Sequence, residues 1–229
     1  MIKDNLAKVR ERVKAACLRS GSDPASVTVI AVSKGRSIEQ IEEAARAGIT
    51  DIGENKVQEA LLKYKALSTI NGQPSTIKWH MVGHLQTNKV KEAVRIFDFI
   101  HSVDSLRLAQ EIDKQAAKIQ KVQDVLIEVK TSPEVAKYGV SPDEAGKFIQ
   151  EASRLKNIRI RGLMTIAPAV DNPEKTRPYF QALKRLFNQL SAISYQLSAI
   201  SMGMSDDFEV AVEEGATMVR IGRAIFAGT

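Results

Sequence analysis

Short apolar runs recur along the chain, and most are followed by a segment whose apolar positions have helical spacing. The first run, TVIAVSK at residues 28–34, has no alternation of polar positions, which is typical of a strand buried on both faces in a helix-covered parallel sheet. The segment after it begins with a capping-box pattern, Ser37 with Gln40, and ends at Gly48, where a helix C-cap glycine is expected. This unit of a strand followed by a helix sets the expectation for the rest of the chain.

Eight such runs predict strands, at residues 28–34, 50–53, 79–82, 99–103, 124–129, 158–166, 197–201 and 217–222. Helical segments separate them, and an amphipathic helix within residues 1–19 precedes the first strand. Strict alternation predicts a parallel sheet, and eight units predict a closed (β/α)8 TIM-type barrel of the α/β class with an extra N-terminal helix. An open doubly wound sheet is the alternative, but no G-x-G-x-x-G follows the first strand. No linker or change of composition divides the chain, so we expect one domain, residues 1–229.

Local signals add detail to the helices. Ser141 with Glu144 predicts a second capping box, and an Asn-Pro pair predicts a long helix over 172–190. The sequence LSAIS occurs twice, at 190–194 and at 197–201, and only the second copy is predicted as a strand.

The composition is compatible with this fold and narrows the functional classes. The hydrophobic share of 44% is enough for a sizeable core, and no apolar run approaches the ~20 residues of a membrane span. Cys17 is the only cysteine, so an intrachain disulfide is impossible and a reducing cytoplasm fits. The net charge of +6 permits anion or nucleic-acid binding, but the basic residues are dispersed among acidic ones, which favours solvated helix faces.

Lys34 directly follows the first predicted strand, and this position suggests chemistry. An ammonium at the mouth of an apolar strand is expected to lose hydration, which favours the neutral amine that attacks an aldehyde to form a Schiff base. The alternative is a rim lysine that reaches into solvent. Barrels of this type carry their sites at the C-terminal ends of the strands. The other predicted strands also end in polar residues, which are Glu54, Asn55, His84, Ser102, Lys130, Thr165, Met204, Ser205 and Arg220.

The last two strand ends suggest a phosphate site. Residues 201–207 join strand seven to a helix predicted over 206–214, and they combine a glycine with the Ser205 hydroxyl at the helix start, a combination that attracts phosphate. The alternative is that Ser205 only caps its own helix. Gly222 and the backbone of Arg223 complete such a cradle from strand eight.

Arg220 lies within the eighth predicted strand, and it is expected to point either into the barrel mouth or outward into a structural ion pair. A lysine on strand one beside a phosphate cradle on strands seven and eight suggests a phosphorylated aldehyde as the ligand. His80 and His84 are separated across a strand and its turn, without a cysteine cluster or carboxylate motif, so we expect no metal. No G-x-S-x-G occurs, so a serine triad is equally unsupported.

Six motifs follow one another in register over nearly the whole chain. They are AVSK at 31–34, GENKVQE at 53–59, WHMVGHLQTNK at 79–89, GLMTI at 162–166, SMGMSDDF at 201–208 and VRIG at 219–222. Together they resemble the pyridoxal 5′-phosphate (PLP) homeostasis protein family. That family is similar to the barrel domain of alanine racemases, the fold type III PLP enzymes.

The resemblance implies a PLP site made of Lys34, Asn55 (beside the ring), Met204, Ser205, Arg220, Gly222 and Arg223. It implies that Lys34 carries PLP as a Schiff base and that Arg220 faces the pyridine nitrogen. The phosphate is expected to lie against Ser205, Gly222 and the Arg223 backbone. Relatives usually have Thr or Ser where this chain has Arg223, so a hydroxyl contact to the phosphate is lost.

The implied role of Arg220 restricts the chemistry. Arginine has only donors, so a ring nitrogen bonded to it is an unprotonated acceptor and a weaker electron sink for carbanion chemistry. The sequence also ends at Thr229, without the second β-domain that supplies a tyrosine acid or base in racemases of this type. We therefore expect a non-catalytic PLP carrier or buffer, cytoplasmic and monomeric, that serves PLP-dependent apoenzymes.

Two other functions stay open at this point. One is a slow PLP-dependent amino-acid racemase with Lys34 as its base, and the other is a cofactor-free Schiff-base aldolase. No role is assigned to Lys130 or Lys137.

Overall fold

The computed structural model describes residues 1–67, 69–70, 73–74, 76–132, 138–193 and 196–228. Its barrel strands are β1 Thr28–Val32, β2 Asp51–Glu54, β3 Lys78–Met81, β4 Phe99–Val103, β5 Gln123–Glu128, β6 Ile158–Met164, β7 Ala199–Ser201 and β8 Met218–Ile221. They form a closed parallel barrel in the order β1-β8-β7-β6-β5-β4-β3-β2. The predicted (β/α)8 TIM-type barrel is confirmed, and every predicted strand overlaps an observed one. A small antiparallel ribbon, Thr69–Ile70 with Gln73–Pro74, was not predicted.

Helices surround the barrel. They are α1 Ile2–Ser20, α2 Ile38–Arg46, α3 Val57–Ala66, α4 Val90–Ile96, α5 Leu106–Ala117, α6 Pro142–Ala152, α7 Arg177–Ala192, α8 Phe208–Glu213 and α9 Arg223–Phe226. The expected N-terminal helix is confirmed as α1, which packs its apolar face against α2, α8 and α9. Among the described residues, we find no helix that is long and apolar enough to span a membrane.

Side chains alternate along the strands, so the barrel has an outer and an inner apolar layer. The outer layer is continuous with the buried faces of the helices. A smaller cluster, Leu126, Met164 and Ala199, comes from strand residues alone and lies inside the barrel. At Gly162, β6 approaches β7 so closely that a Cβ would lie 1.7 Å from the Ala199 carbonyl oxygen, so only glycine fits there.

The two predicted capping boxes have different outcomes. The first is confirmed, because the Ser37 hydroxyl accepts from Gln40 N and the Gln40 side chain accepts from Ser37 N. The second is wrong in its bonding, since Ser141 is the N-cap of α6 but its hydroxyl donates to Glu144 Oε2 at 2.5 Å and caps no backbone N–H.

The helix predicted over 172–190 begins as a 3₁₀ turn, Pro173–Thr176, and becomes α-helical only from Arg177. The two LSAIS copies differ in structure. The first contributes the end of α7 and its C-cap Ile193, whereas the second ends in strand β7. Ser194, the last residue of the first copy, lies outside the described residues.

Candidate functional site

A cavity of about 220 Å³ opens at the C-terminal ends of the strands, next to β1, β2 and β8. It is lined by Val32, Lys34, Asn55, Val82, Ile166, Met204, Ser205, Arg220, Gly222 and Arg223. All seven residues of the predicted cofactor site are therefore neighbours around one cavity, although they come from loops as far apart in sequence as residues 34 and 223. Their roles toward a cofactor are taken up below as a proposal.

Lys34 lies at the rim of this cavity, two residues beyond the end of β1. The expectation that its side chain is withdrawn from water is wrong, because the residue is exposed. It sits in a tight turn, in which Arg36 N donates to Ser33 O at 2.9 Å. The alternative of a rim lysine therefore describes its exposure correctly, although Lys34 is also one of the residues that line the cavity.

A buried ion network holds the residue that precedes Lys34. Lys63 Nζ on α3 donates to Ser33 O at 2.6 Å, to Glu54 Oε1 at 2.6 Å and to Glu59 Oε1 at 2.7 Å. Lys63 is 6% exposed and Glu54 is fully buried. Burial raises the pKa of Glu54, although hydrogen bonds from Lys63 and Ser33 act in the opposite direction. Sequence reasoning missed this network, although Lys63 occupies the buried face of α3, in register with Ala60.

The β7–α8 loop contributes Met204 and Ser205. Gly203 has a positive φ of 89°, and its missing side chain leaves room for α8. Met204 N donates to the buried Asp207 carboxylate at 2.6 Å, which holds the loop against the start of α8. The alternative that Ser205 caps its own helix is wrong: its hydroxyl accepts from Ala224 N at 3.3 Å, so it joins the β7–α8 loop to the first turn of α9.

Gly222 and Arg223 border the cavity on the β8 side. A Cβ on Gly222 would lie 3.2 Å from the Val32 carbonyl oxygen, so this glycine lets β8 pass close to β1. The Arg223 side chain is exposed and forms an ion pair with Asp206. The negative charge of Asp206 beside the cavity is therefore paired with a side chain from the start of α9.

Arg220 points into the barrel, which decides between the two orientations expected from the sequence. It is 4% exposed and donates from Nη1 to Ser201 Oγ at 2.6 Å and from Nη2 to Thr165 O at 2.9 Å. Burial lowers the pKa of Arg220 to about 10, while the charges of Asp207 and Glu128 act in the opposite direction. The guanidinium is therefore protonated at neutral pH.

Asn55 follows β2 and is half-buried at the cavity edge. The β3 turn packs against it, since a Cβ on Gly83 would lie 2.6 Å from the Asn55 carbonyl oxygen. Glycine at position 83 is therefore required for the close approach of the two loops.

The opposite side of the barrel mouth has its own polar groups. His84 stacks on Tyr138 with ring centroids 3.7 Å apart and lies 3.4 Å from Asp104. Burial, and to a lesser extent the charge of Asp104, raises the pKa of Glu128 to about 7. Sequence reasoning did not single out Glu128, since an acidic residue at the end of a strand has no motif of its own. Lys130 and His84 do not line the 220 Å³ cavity, and Lys137 lies outside the described residues.

His80 and His84 have different partners in the structure. His80 is hydrogen-bonded to Asp51 and His101 within the barrel, whereas His84 lies beside Asp104 at the rim. In the part of the chain that the structure describes, no group of three His, Cys, Asp or Glu side chains is arranged to hold a metal ion.

The fold and the lysine-bearing cavity define a class, the barrel of alanine-racemase type, and the family model described as "Alanine racemase, N-terminal domain" matches residues 2–229. Within that class, the chain belongs to the pyridoxal phosphate homeostasis protein family. A protein of that name from Aquifex aeolicus is 44% identical over 224 residues, which are 97% of this chain and 96% of the relative.

Two solved structures show the same relationship. PipY of Synechococcus elongatus, determined with PLP bound, has a TM-score of 0.85 and 37% identity, over 99% of this chain and 100% of PipY. An alanine racemase from Clostridium difficile has a TM-score of 0.78 at 15% identity, over 99% of this chain and 57% of the racemase, a likeness that shows the fold alone.

Proposed function

We propose that this protein binds PLP as a Schiff base on Lys34 and acts in PLP homeostasis as a non-catalytic carrier. One observation carries the proposal: Lys34, Ser205 and Arg220 line a single cavity. The names of its relatives support the same assignment, since the Aquifex relative is called a PLP homeostasis protein and PipY holds PLP. The whole of residues 1–229 serves as one cofactor-binding domain in this proposal.

The cavity has the polar groups that a phosphorylated aldehyde requires. Condensation of the Lys34 amine with the aldehyde forms a carbon–nitrogen double bond and releases water, and hydrolysis reverses it. On the other side of the cavity, the Ser205 hydroxyl and the backbone of Gly222 and Arg223 offer donors to the phosphate. Neither carboxylate of this loop opposes the anion freely, because Asp206 is paired with Arg223 and Asp207 accepts from Met204 N.

Arg220 supports a defined orientation of the pyridine ring. A guanidinium has five N–H donors, and the bonds to Ser201 Oγ and Thr165 O account for two of them. The remaining donors are available to a ring nitrogen in the cavity. Because Arg220 is protonated at neutral pH and cannot accept a hydrogen bond, the nitrogen stays unprotonated, which weakens the ring as an electron sink. This property favours storage and transfer of the cofactor over amino-acid chemistry. In the proposed function, PLP-dependent apoenzymes receive the cofactor and the protein acts in the cytoplasm.

Spectroscopy with chemical trapping tests the attachment site. The protein is mixed with PLP, its absorption is recorded before and after borohydride, and the reduced protein is mapped by peptide mass spectrometry. We expect a Schiff-base band that reduction removes and a pyridoxyl adduct on the Lys34 peptide. Lys34→Ala should lose both the absorption band and the adduct, whereas Lys56→Ala, at another exposed lysine of the chain, should keep both. An adduct confined to another lysine, or no adduct at saturating PLP, contradicts the proposal.

The non-catalytic part of the proposal has a separate test. PLP-loaded protein is incubated with amino acids in heavy water, and exchange of the α-proton is followed by NMR. Exchange at rates typical of enzymes, abolished in Lys34→Ala, would identify a racemase-type activity instead of a carrier. A size-exclusion run tests the proposed monomer, which a stable dimer would refute.

A further inference from the structure

A chain of buried polar side chains crosses the barrel interior beneath Arg220. Its members come from four strands and are termed the polar column: Asp51 on β2, His80 on β3, His101 on β4 and Ser201 on β7. Consecutive members are 2.8 Å apart (Asp51 Oδ1 to His80 Nε2), 3.0 Å apart (His80 Nδ1 to His101 Nε2) and 2.9 Å apart (His101 Nδ1 to Ser201 Oγ). The column ends at Arg220, whose Nη1 lies 2.6 Å from Ser201 Oγ.

The column joins the two ends of the barrel. Asp51 starts β2 and lines a cavity of about 520 Å³ at the end of the barrel where the strands begin. Arg220 lines the 220 Å³ cavity at the other end. Between them, His80 is 1% exposed, and His101 and Ser201 are fully buried. The site and the far end of the barrel are thus connected by hydrogen bonds between buried side chains.

The two ends of the column determine the direction of donation. Arg220 can only donate, so the hydroxyl hydrogen of Ser201 is directed away from it, to His101 Nδ1. A neutral His101 then carries its proton on Nε2 and donates to His80 Nδ1. His80 in turn carries its proton on Nε2 and donates to the Asp51 carboxylate.

The opposite direction is disfavoured at the Ser201 end, where the hydroxyl hydrogen would find an acceptor in neither His101 nor Arg220, its two described partners. It would also require a protonated Asp51 or a doubly protonated His80. Although burial acts in the opposite direction, hydrogen bonds from His80 and Thr50 hold the pKa of Asp51 below its ordinary value. Burial keeps the pKa of His101 well below its usual range, and the charge of Arg220 acts in the same direction, so this ring is neutral.

Packing fixes the planes of both imidazoles. His80 stacks on Phe99 at 5.5 Å with an interplanar angle of 6°, and His101 meets the same ring edge-on at 5.9 Å. These contacts set the plane of each ring, and the hydrogen bonds determine which nitrogen faces which neighbour. The hydrogen bonds and the packing therefore select a single arrangement.

We propose that the polar column is a positioning device that holds the Arg220 guanidinium toward the cofactor ring, with Asp51 as its distant anchor. Asp51 orients His80, and each later member of the column orients the next one through a single donated hydrogen bond. The final step, the contact between Arg220 and the cofactor ring, rests on the proposed function. The order of the protons within the column is independent of that function.

The first test needs no cofactor. ¹⁵N NMR of the imidazoles in the protein without added PLP reports which nitrogen carries the proton, and the sequence contains only three histidines to assign. We expect both His80 and His101 to be neutral with the proton on Nε2. A proton on His101 Nδ1 in the native protein overturns the proposal, whether or not PLP binds.

The second test links the anchor to the site. In Asp51→Val, which removes the acceptor, we expect a second His101 tautomer and a PLP affinity lower by about tenfold, equivalent to ~1.4 kcal/mol. In Asp51→Asn, whose amide oxygen can still accept from His80, both properties should return toward those of the native protein. Asp98→Val is the matched control, since Asp98 accepts from Trp79 N outside the column at the same barrel end.

The outcomes separate the two proposals. Native PLP affinity and a single His101 tautomer in Asp51→Val refute the anchor role, and so does an equal loss of affinity in Asp98→Val. If the native protein fails to bind PLP while the tautomers are as expected, the column is supported and the proposed function is wrong. If Asp51→Val does not fold, the tautomers of the native protein and the ¹⁵N spectrum of Asp51→Asn still test the proposed order of the protons in the column.

Discussion

Removal of the Lys63 ammonium is the sharpest test of how the fold holds the loop of Lys34. In Lys63→Met, the stem of the side chain is kept and its three hydrogen bonds are lost, including the one to Ser33 O. Glu54 is then left fully buried without its counter-ion, and one of its oxygens, Oε2, has no hydrogen-bond partner among the described residues even in the native protein. Removing one partner of a buried ion pair costs about 3–5 kcal/mol of unfolding free energy.

The cost should depend on pH, in a direction set by Glu54. Burial raises the pKa of Glu54, and Lys63 supplies the largest opposing interaction, so the pKa should rise further in Lys63→Met. A carboxyl whose pKa is higher in the folded protein favours folding at acid pH, and this contribution is lost as the pH rises through the folded value. Lys63→Met should therefore lose more stability at pH 8 than at pH 5, and the double variant with Glu54→Gln should recover part of the loss at pH 8.

Urea unfolding at the two pH values measures the effect, with Lys56→Met as the exposed lysine control. Borohydride trapping of PLP adds a functional readout, because Glu59 also accepts from Gly35 N at 2.6 Å and so holds the residue after Lys34. We expect slower trapping on Lys34 in the folded Lys63→Met protein. An unchanged urea midpoint of Lys63→Met at pH 8 would refute the conclusion that this buried ion pair stabilises the fold.

Three further predictions follow from the cavity and its surroundings. Because burial raises the pKa of Glu128 from 4.5 to about 7, ionisation of this carboxyl opposes folding at high pH. At ~1.4 kcal/mol per pH unit, Glu128→Gln should raise the free energy of unfolding by about 3 kcal/mol at pH 8 and leave it unchanged at pH 4, as measured by urea unfolding. In Gly203→Ala, the new Cβ would lie 2.5 Å from Ala211 Cβ at a residue with a positive φ. We expect the free energy of unfolding to fall by about 3 kcal/mol in the same assay, and a urea midpoint equal to that of the native protein would contradict this expectation. Arg223→Thr removes only an exposed ion pair with Asp206, so PLP affinity should stay within about threefold of the native value in a fluorescence titration, and a larger loss would show that the side chain takes part in binding.

The barrel was predictable because its strands are buried and its helices are amphipathic. Both properties leave a periodic pattern in the sequence that does not depend on distant residues. The doubled LSAIS sequence shows the limit of such local reasoning. Leu190 completes the buried face of α7, while Ala199 and Ile200 pair with β6 and are buried in the barrel, so tertiary context assigns one copy to a helix and the other to a strand.

The cavity lining was predictable for a different reason. All strands of a parallel barrel end on the same side, so residues that follow different strands become neighbours whatever their distance in the sequence. The exposure of Lys34 was not predictable, because it depends on the turn that carries the residue past the strand end. The orientation of Ser205 was also missed, since its hydroxyl bonds Ala224 N, which lies 19 residues away in the chain.

The buried polar groups were the hardest to predict. His101 and Ser201 are 100 residues apart and meet only because β4 and β7 face each other across the barrel. Both lie in short, mostly apolar strands, a pattern that in the sequence indicates a satisfied core residue and nothing about its partner. Only the closed barrel brings the donors and acceptors into one order.

That order links the fold to the proposed carrier function. Arg220 has a lowered pKa of about 10, which still leaves it protonated throughout the physiological range. A ring nitrogen held against it by the polar column would remain an acceptor over that whole range, and the cofactor would remain a weak electron sink. Under that condition the reversible exchange of the aldehyde between the Lys34 amine and water is favoured over removal of an α-proton.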